Sequence, residues 1–318
     1  MSAVGIRTGD LISAIGSTPL VELRHLRPEG GARLYAKLEM MNPTGSVKDR
    51  VARSLIEAAE AEGRLEPGQV VLEPTSGNTG ISLAMICQVR GYRMRAVMPE
   101  SATPERADSL RMYGAEIVWS PGELGSNGAV ALARELAAAD PAVYMPFQYA
   151  NPANPDAHYR TTGPEIIEAL GGRVDAFVAG LGTGGTLMGT GQALREANPA
   201  VKIIAAEPLQ GDAVMGLRSL EDGYTPEILD LSKLDRRLLV SNAEAVVGLR
   251  ALLHREGIWA GVSAGAVVDV ARRVAASMEP DQNVVCLLAD GGWKYASAGL
   301  WSRDPDELAV EMEDRLWW

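Results

Sequence analysis

The stretch Asn42-Pro43-Thr44-Gly45-Ser46-Val47-Lys48-Asp49-Arg50 carries the first sign of chemistry in this chain. Leu34 to Glu39 before it alternates like a strand, and Val47, Val51 and Leu55 after it recur at helical spacing. Lys48 is therefore expected in the first turn of a helix, with Ser46 as N-cap. The positive end of the helix dipole disfavours an ammonium there, and partial burial lowers its pKa further. A lysine held neutral is a nucleophile able to form a Schiff base with an aldehyde. The other reading of the same residues is a solvated lysine on an ordinary helix.

Two further stretches share one design. Val70 to Pro74 reads as a strand and runs into Thr75-Ser76-Gly77-Asn78-Thr79-Gly80, followed by the apolar run Ile81 to Val89. Ala176 to Ala179 reads as a buried strand and runs into Gly180-Leu181-Gly182-Thr183-Gly184-Gly185-Thr186, which again opens a helix. Glycines let the backbone approach a ligand closely, and the first amides of each helix point at it with the favourable end of the dipole. A glycine-rich loop alone is a weak signal, because dinucleotide enzymes and tight turns use the same chemistry. A potential Schiff-base lysine and two anion-binding loops in one chain point more narrowly, to a phosphate-bearing ligand in an α/β enzyme.

Together these residues resemble the cysteine synthase family of fold type II pyridoxal-phosphate enzymes. The resemblance covers nearly the whole chain, from Gly16-Ser17-Thr18-Pro19-Leu20 through Asn42 to Arg50, Thr75 to Gly80, Asn151-Pro152-Ala153-Asn154, Thr161 to Glu165 and Gly182 to Thr186, to Gly261-Val262-Ser263-Ala264-Gly265-Ala266. It implies an α/β fold of two lobes, each with a mainly parallel twisted sheet flanked by helices. Residues 1–42 and 146–318 would form the large cofactor-binding lobe, and 43–145 the smaller, mobile one.

The resemblance also implies roles. Lys48 would hold pyridoxal 5'-phosphate as an internal aldimine and then remove the substrate's Cα proton. Gly182, Thr183, Gly184, Gly185 and Thr186 would cradle the phosphate, and Asn78 would meet the ring hydroxyl oxygen. Thr75, Ser76, Gly77 and Thr79 would grip the substrate carboxylate, with Gln148 a further candidate. Ser263 would face the pyridine nitrogen, where a neutral hydroxyl leaves that nitrogen unprotonated. The local alternative for Ser263 is a helix N-cap. The implied reaction is β-replacement on an O-activated serine, through an aminoacrylate, to give cysteine.

Arg218, in Ala213 to Leu220, bears on the leaving group: a guanidinium fork suits a phosphate. With Glu221-Asp222-Gly223-Tyr224 and the aromatic C-terminus, it resembles the O-phosphoserine-using branch, whose sulfur donor is sulfide or a small thiocarboxylated carrier protein. The bland reading is a solvated arginine paired with Glu221 or Asp222. Ser263-Ala264 departs from the paired serines common in acetylserine-using members. Cystathionine β-synthase and threonine dehydratase share the cofactor motifs, but the Thr75 to Gly80 loop favours a cysteine synthase. A silent regulator that binds a partner's C-terminal tail has no need of Lys48, and a nicotinamide oxidoreductase would explain neither Lys48 nor Ser263.

Composition agrees with this. The 318 residues carry 30 basic and 41 acidic side chains, a net charge of −11, which argues against nucleic acid and anionic membranes. No apolar run reaches the roughly 18 residues of a membrane span, and the N-terminus lacks a basic-then-apolar signal, so a cytoplasmic protein is expected. Cys87 and Cys286 each sit in an apolar stretch and read as buried thiols, and His25, His158 and His254 have no ligand spacing, so no metal is expected. The family implies a homodimer. From Glu207 to Leu239 periodicity fades into a long loop-rich segment. Leu316-Trp317-Trp318, an unusual ending, is expected either to pack on the large lobe or a dimer partner, or to fold into the active-site cleft.

Overall fold

Strands and helices alternate as parallel α/β structure requires. The computed structural model describes residues 9–75, 77–212 and 214–303. In chain order come β1 (Leu20–Glu22), β2 (Arg33–Leu38), α1 (Lys48–Ala61), β3 (Val70–Pro74), α2 (Asn78–Arg90), β4 (Arg93–Pro99), α3 (Pro104–Met112), β5 (Glu116–Ser120), α4 (Gly125–Ala139) and β6 (Val143–Tyr144). There follow α5 (Ala153–Ala157), a π-helical turn (His158–Thr162), α6 (Gly163–Leu170), β7 (Ala176–Gly180), α7 (Gly185–Ala197), β8 (Lys202–Pro208), β9 (Arg236–Val240), α8 (Asn242–Glu256), α9 (Val262–Ala276), β10 (Asn283–Leu288) and a 3-10 segment (Gly292–Ala298).

The strands form two sheets. One has the order β1-β2-β10-β7-β8-β9 and the other β5-β4-β3-β6. Every pairing is parallel except β1 with β2. Central strands of such sheets are covered on both faces and so read as continuous apolar runs. In β10, Val284, Cys286 and Leu288 face the core that includes α8 and α9, while Val285 and Leu287 face the core that includes Leu187 and Leu194 of α7. Both cysteines are buried free thiols, and burial pushes each up to about 12. Helices α8 and α9 cross through glycine: a Cβ on Gly265 would lie 1.9 Å from the Ala245 carbonyl oxygen.

Several local expectations are corrected. Val47, not Ser46, flanks α1, although the Ser46 hydroxyl still accepts the Lys48 N–H at 3.3 Å. Ser263 is not an N-cap, since α9 begins at Val262 behind Gly261 and has no side-chain cap. The segment from Glu207 to Leu239 hides most of an edge strand: among the described residues β9 pairs only with β8, and it exposes most of its side chains, so it shows no apolar alternation. Helix α5 and the π turn were missed because Pro152 and Pro155 interrupt the helical pattern. The C-terminal expectation concerning Leu316 to Trp318, and Ser76 in the first loop, lie outside the described residues.

Candidate active site

A cavity opens where the C-terminal ends of β7 and β10 meet the loop after β3. That is where open α/β sheets place ligands. Lys48, Thr75, Asn78, Thr79 and Gln148 line it, as do Gly182, Thr183, Gly184 and Thr186 of the second loop, and Arg218 and Ser263. Gly77, which precedes α2 at φ +151°, and Gly185, which opens α7, do not themselves line it, although Asn78, Gly184 and Thr186 beside them do.

Lys48 is the first residue of α1 and is half-buried. Removal from water brings its pKa down to about 8, against the pull of the Asp290 carboxylate. Its helix is anchored by a buried ion cluster two residues on. Arg50 donates from Nε to Glu39 Oε2 at 2.7 Å and from Nη1 to Glu165 Oε1 at 2.6 Å, while Lys37 Nζ meets Glu165 Oε2 at 2.6 Å. Burial alone would raise the Glu165 pKa, but hydrogen bonds and charge from Arg50, then Lys37, hold it at about 2. Asp49 accepts from the Thr44 amide at 2.7 Å and the Ser82 hydroxyl at 2.5 Å, which ties the Asn42 to Ser46 loop to α2.

The first loop is built by its own hydroxyls. Thr75 Oγ1 accepts the amides of Gly77 at 3.0 Å and Gly80 at 3.1 Å, and Thr79 Oγ1 donates to Gln148 Oε1 at 2.7 Å. Gln148 is held from beneath by Glu73, whose carboxyl accepts the Phe147 and Gln148 amides at 2.8 and 2.9 Å. Phe147 sits at φ +54°, a conformation a bulky residue adopts only when its surroundings impose it. Desolvation pushes Glu73 up to about 8 despite those two amides.

The second loop turns through Gly184 at φ +89° into α7, whose first N–H groups have no partner inside the helix. Asn154 Nδ2 donates to Thr183 Oγ1 at 3.0 Å and to the Gln148 carbonyl at 2.9 Å, joining the two loops. His158 Nε2 lies 3.2 Å from Thr186 Oγ1, and its Nδ1 lies 2.9 Å from Thr162 Oγ1. Burial, then the charges of Lys48 and Arg50, hold His158 well below its usual pKa, so the ring is neutral and braces a hydroxyl. Sequence reading set the histidines aside for want of ligand spacing. The signal that would have found this one is its place between the Asn151 to Asn154 and Thr161 to Glu165 motifs.

Arg218 is buried, with its guanidinium 4.9 Å from the Tyr224 ring centroid and 5.6 Å from that of Tyr149. Its side chain reaches Asn127 Oδ1 at 3.4 Å, and it forms no ion pair among the described residues. Of the expected alternative, a solvated arginine paired with Glu221 or Asp222, the solvation and the Glu221 pair are not what the fold makes, and the Asp222 side chain lies outside the described residues.

The cavity thus combines a lysine of lowered pKa with a glycine turn leading into a helix N-terminus, which suits an aldehyde that carries a phosphate. The family model described as "Pyridoxal-phosphate dependent enzyme" matches residues 11–290. The chain belongs to the pyridoxal-phosphate-dependent enzyme family. Its cofactor is accordingly pyridoxal 5'-phosphate, and its two-sheet architecture is that of fold type II. Among pyridoxal-phosphate-dependent relatives, a Bacillus subtilis (strain 168) protein named "Probable cysteine synthase" is 45% identical over 312 residues, which cover 95% of this chain and 99% of the relative. Cysteine synthase B of Escherichia coli (strain K12) is 43% identical, over 92% of this chain and 96% of its own. The crystal structure of an O-ureido-L-serine synthase superposes with a TM-score of 0.88 at 39% identity, covering 96% of this chain and all of that one.

The residues present fit the cofactor. Between Thr183 and Thr186 the backbone is closed to any side chain at Gly185, where a Cβ would lie 1.9 Å from Asn154 Oδ1, so the turn that would cradle a phosphate has room for glycine alone there. Gly185→Ala is therefore expected to push Asn154 off Thr183 and weaken cofactor binding at least about tenfold, on the scale of one charge-assisted hydrogen bond lost. Cofactor titration of the apoprotein measures it.

Proposed function

We propose that this enzyme makes L-cysteine by β-replacement on O-phospho-L-serine. The observation that carries the choice of substrate is the Arg218 guanidinium, buried in the cavity between Tyr149 and Tyr224 and forming no ion pair among the described residues. A buried cation without an anionic partner is costly, and a phosphate ester, at roughly −1.5 to −2 charges near neutral pH, supplies one with matching fork geometry.

Pyridoxal phosphate, when bound, supplies the electron sink that lets the Cα proton and the β-substituent of a serine derivative leave. The chain does the rest. Lys48, with its pKa near 8, tethers the cofactor and then takes the Cα proton. Gly182 to Thr186 hold the phosphate, Asn78 meets the ring oxygen, and Ser263 offers the ring nitrogen a neutral hydroxyl. Thr75, Ser76, Gly77, Thr79 and Gln148 receive the substrate carboxylate, while Arg218 draws the departing phosphate away. The second substrate is a sulfur nucleophile, either sulfide or the thiocarboxylate of a small carrier protein. The reading treats residues 43–145 as the smaller, mobile unit, supported by the confinement of β3 to β6 to that span. It takes the active form as a cytoplasmic homodimer. Among the described residues no helix is long and apolar enough to cross a membrane.

Arg218→Ala tests the substrate. The variant is expected to lose roughly 10 to 100-fold in kcat/KM with O-phosphoserine, the scale of hydrogen bonds to a charged group, and less than about threefold with O-acetylserine. Equal losses on both substrates would leave Arg218 a structural residue and remove the case for the phosphate ester.

A further inference from the structure

The carboxamide of Asn78 is gripped by two ions that sequence reading did not single out. Lys294 Nζ donates to Asn78 Oδ1 at 2.8 Å, and Asn78 Nδ2 donates to Asp290 Oδ2 at 2.6 Å. An ammonium has only donors and an ionised carboxylate only acceptors. Turning the amide over would set its NH2 against the ammonium and its oxygen against the carboxylate. The orientation is therefore dictated by charge. Both partners are themselves fixed, with Asp290 1% and Lys294 5% exposed, and Tyr295 donates its hydroxyl to Asp290 Oδ2 at 2.5 Å. Asp290 Oδ1 is buried beside the cavity and has no hydrogen-bond partner among the described residues.

The grip also spans the fold. Asn78 opens α2, next to the four-stranded sheet, whereas Asp290 and Lys294 follow β10 of the six-stranded one, 212 and 216 residues away. The segment that carries Lys294 is docked independently: Glu105 of α3 accepts from the Ser297 amide at 2.8 Å and its hydroxyl at 2.9 Å. Holding that segment in place does not require a buried lysine. Nothing in the chemistry described so far uses one either.

We propose that Lys294 and Asp290 are positioning residues that lock the Asn78 carboxamide, keeping its second N–H free as the donor for the ring oxygen of pyridoxal phosphate. The inference rests on the reading of Asn78 as a cofactor contact. A donor held at that oxygen favours its ionised form, and the ionisation state of the ring hydroxyl sets the visible absorption of the bound cofactor. Removing the lock should therefore change both affinity and colour, through Asn78.

The test is a double-mutant cycle on the full chain. It reads the dissociation constant for pyridoxal phosphate and the absorption maximum of the holoenzyme. Lys294→Met is expected to weaken cofactor binding about tenfold, the scale of one lost charged hydrogen bond, and to shift the visible band. In an Asn78→Ala background the same substitution should change the constant by less than about twofold, because the group it acts through is gone. Ser297→Ala, which loosens the segment without touching Asn78, should leave both readouts unchanged. Equal losses in both backgrounds, no effect of Lys294→Met, or an equal loss in Ser297→Ala would each overturn the proposal. If Asn78→Ala alone binds cofactor with wild-type affinity and an unmoved band, the cofactor contact itself is wrong and the proposal falls with it. Should Lys294→Met fail to fold, Asp290→Asn runs the same cycle, with the same dependence on Asn78 expected.

Discussion

Lys48→Ala should lower cysteine formation by at least about 10³-fold, because in the proposed function one side chain supplies both the cofactor tether and the base, and positioned bases alone contribute roughly 10² to 10⁴. The protein should remain folded. Lys48 is half-buried at the positive end of α1, where its charge is held at a disadvantage that brings the pKa to about 8, and alanine is a good helix former. The measurement is steady-state cysteine production beside a thermal melt. A variant that makes cysteine at a comparable rate would take Lys48 out of the reaction, and one that melts many degrees lower would show that the lysine is structural.

Arg50→Met should have the largest effect on stability. Arg50, Glu39, Glu165 and Lys37 form a compact cluster of two positive and two negative side chains, with Arg50 3%, Lys37 2% and Glu39 0% exposed. Removing one partner of a buried pair leaves its counterion uncompensated, which costs about 3–5 kcal/mol. In the variant, Glu39 would keep only neutral donors among the described residues, Thr18 Oγ1 at 2.6 Å and Asn42 Nδ2 at 2.9 Å. Urea unfolding against pH also reads the cluster. With Glu165 held at about 2 against an ordinary 4.5, its contribution is fully present above the ordinary value and is lost as pH falls from there towards 2. Arg50→Met should flatten that acid limb. A loss below about 1 kcal/mol, typical of a surface pair, would contradict the picture.

Much of this protein is local and was legible as such. Val70 to Pro74 and Ala176 to Gly180 are strands because continuous apolar runs suit parallel strands covered on both faces, and the loops after them open α2 and α7 where glycine and hydroxyl residues cluster. Lys48 at the start of α1 follows from the helical spacing of Val47, Val51 and Leu55. Such signals live within windows of ten to twenty residues, in which side-chain period and capping chemistry act without help from the rest of the chain.

What tertiary structure alone decided lies beyond any window. The pattern of Arg236 to Val240 cannot announce β9, because its pairing partner is β8 and most of its side chains stay in water. His158 becomes a neutral brace only when α7 is pressed against the turn that carries it, so that Thr186 comes within 3.2 Å. Glu73 can hold Gln148 only because the chain returns beneath β3 some 75 residues later. Arg218 is distinguished from a solvated arginine by the rings of Tyr149 and Tyr224 closing round it. Asp290 and Lys294 reach Asn78 because β10 is inserted between β2 and β7, after the four-stranded sheet has been built between them in sequence. Local sequence determines which residues have the chemistry; the crossover order of the sheets determines which of them meet, because hydrogen bonds and ion pairs require contact in space, which sequence distance does not measure.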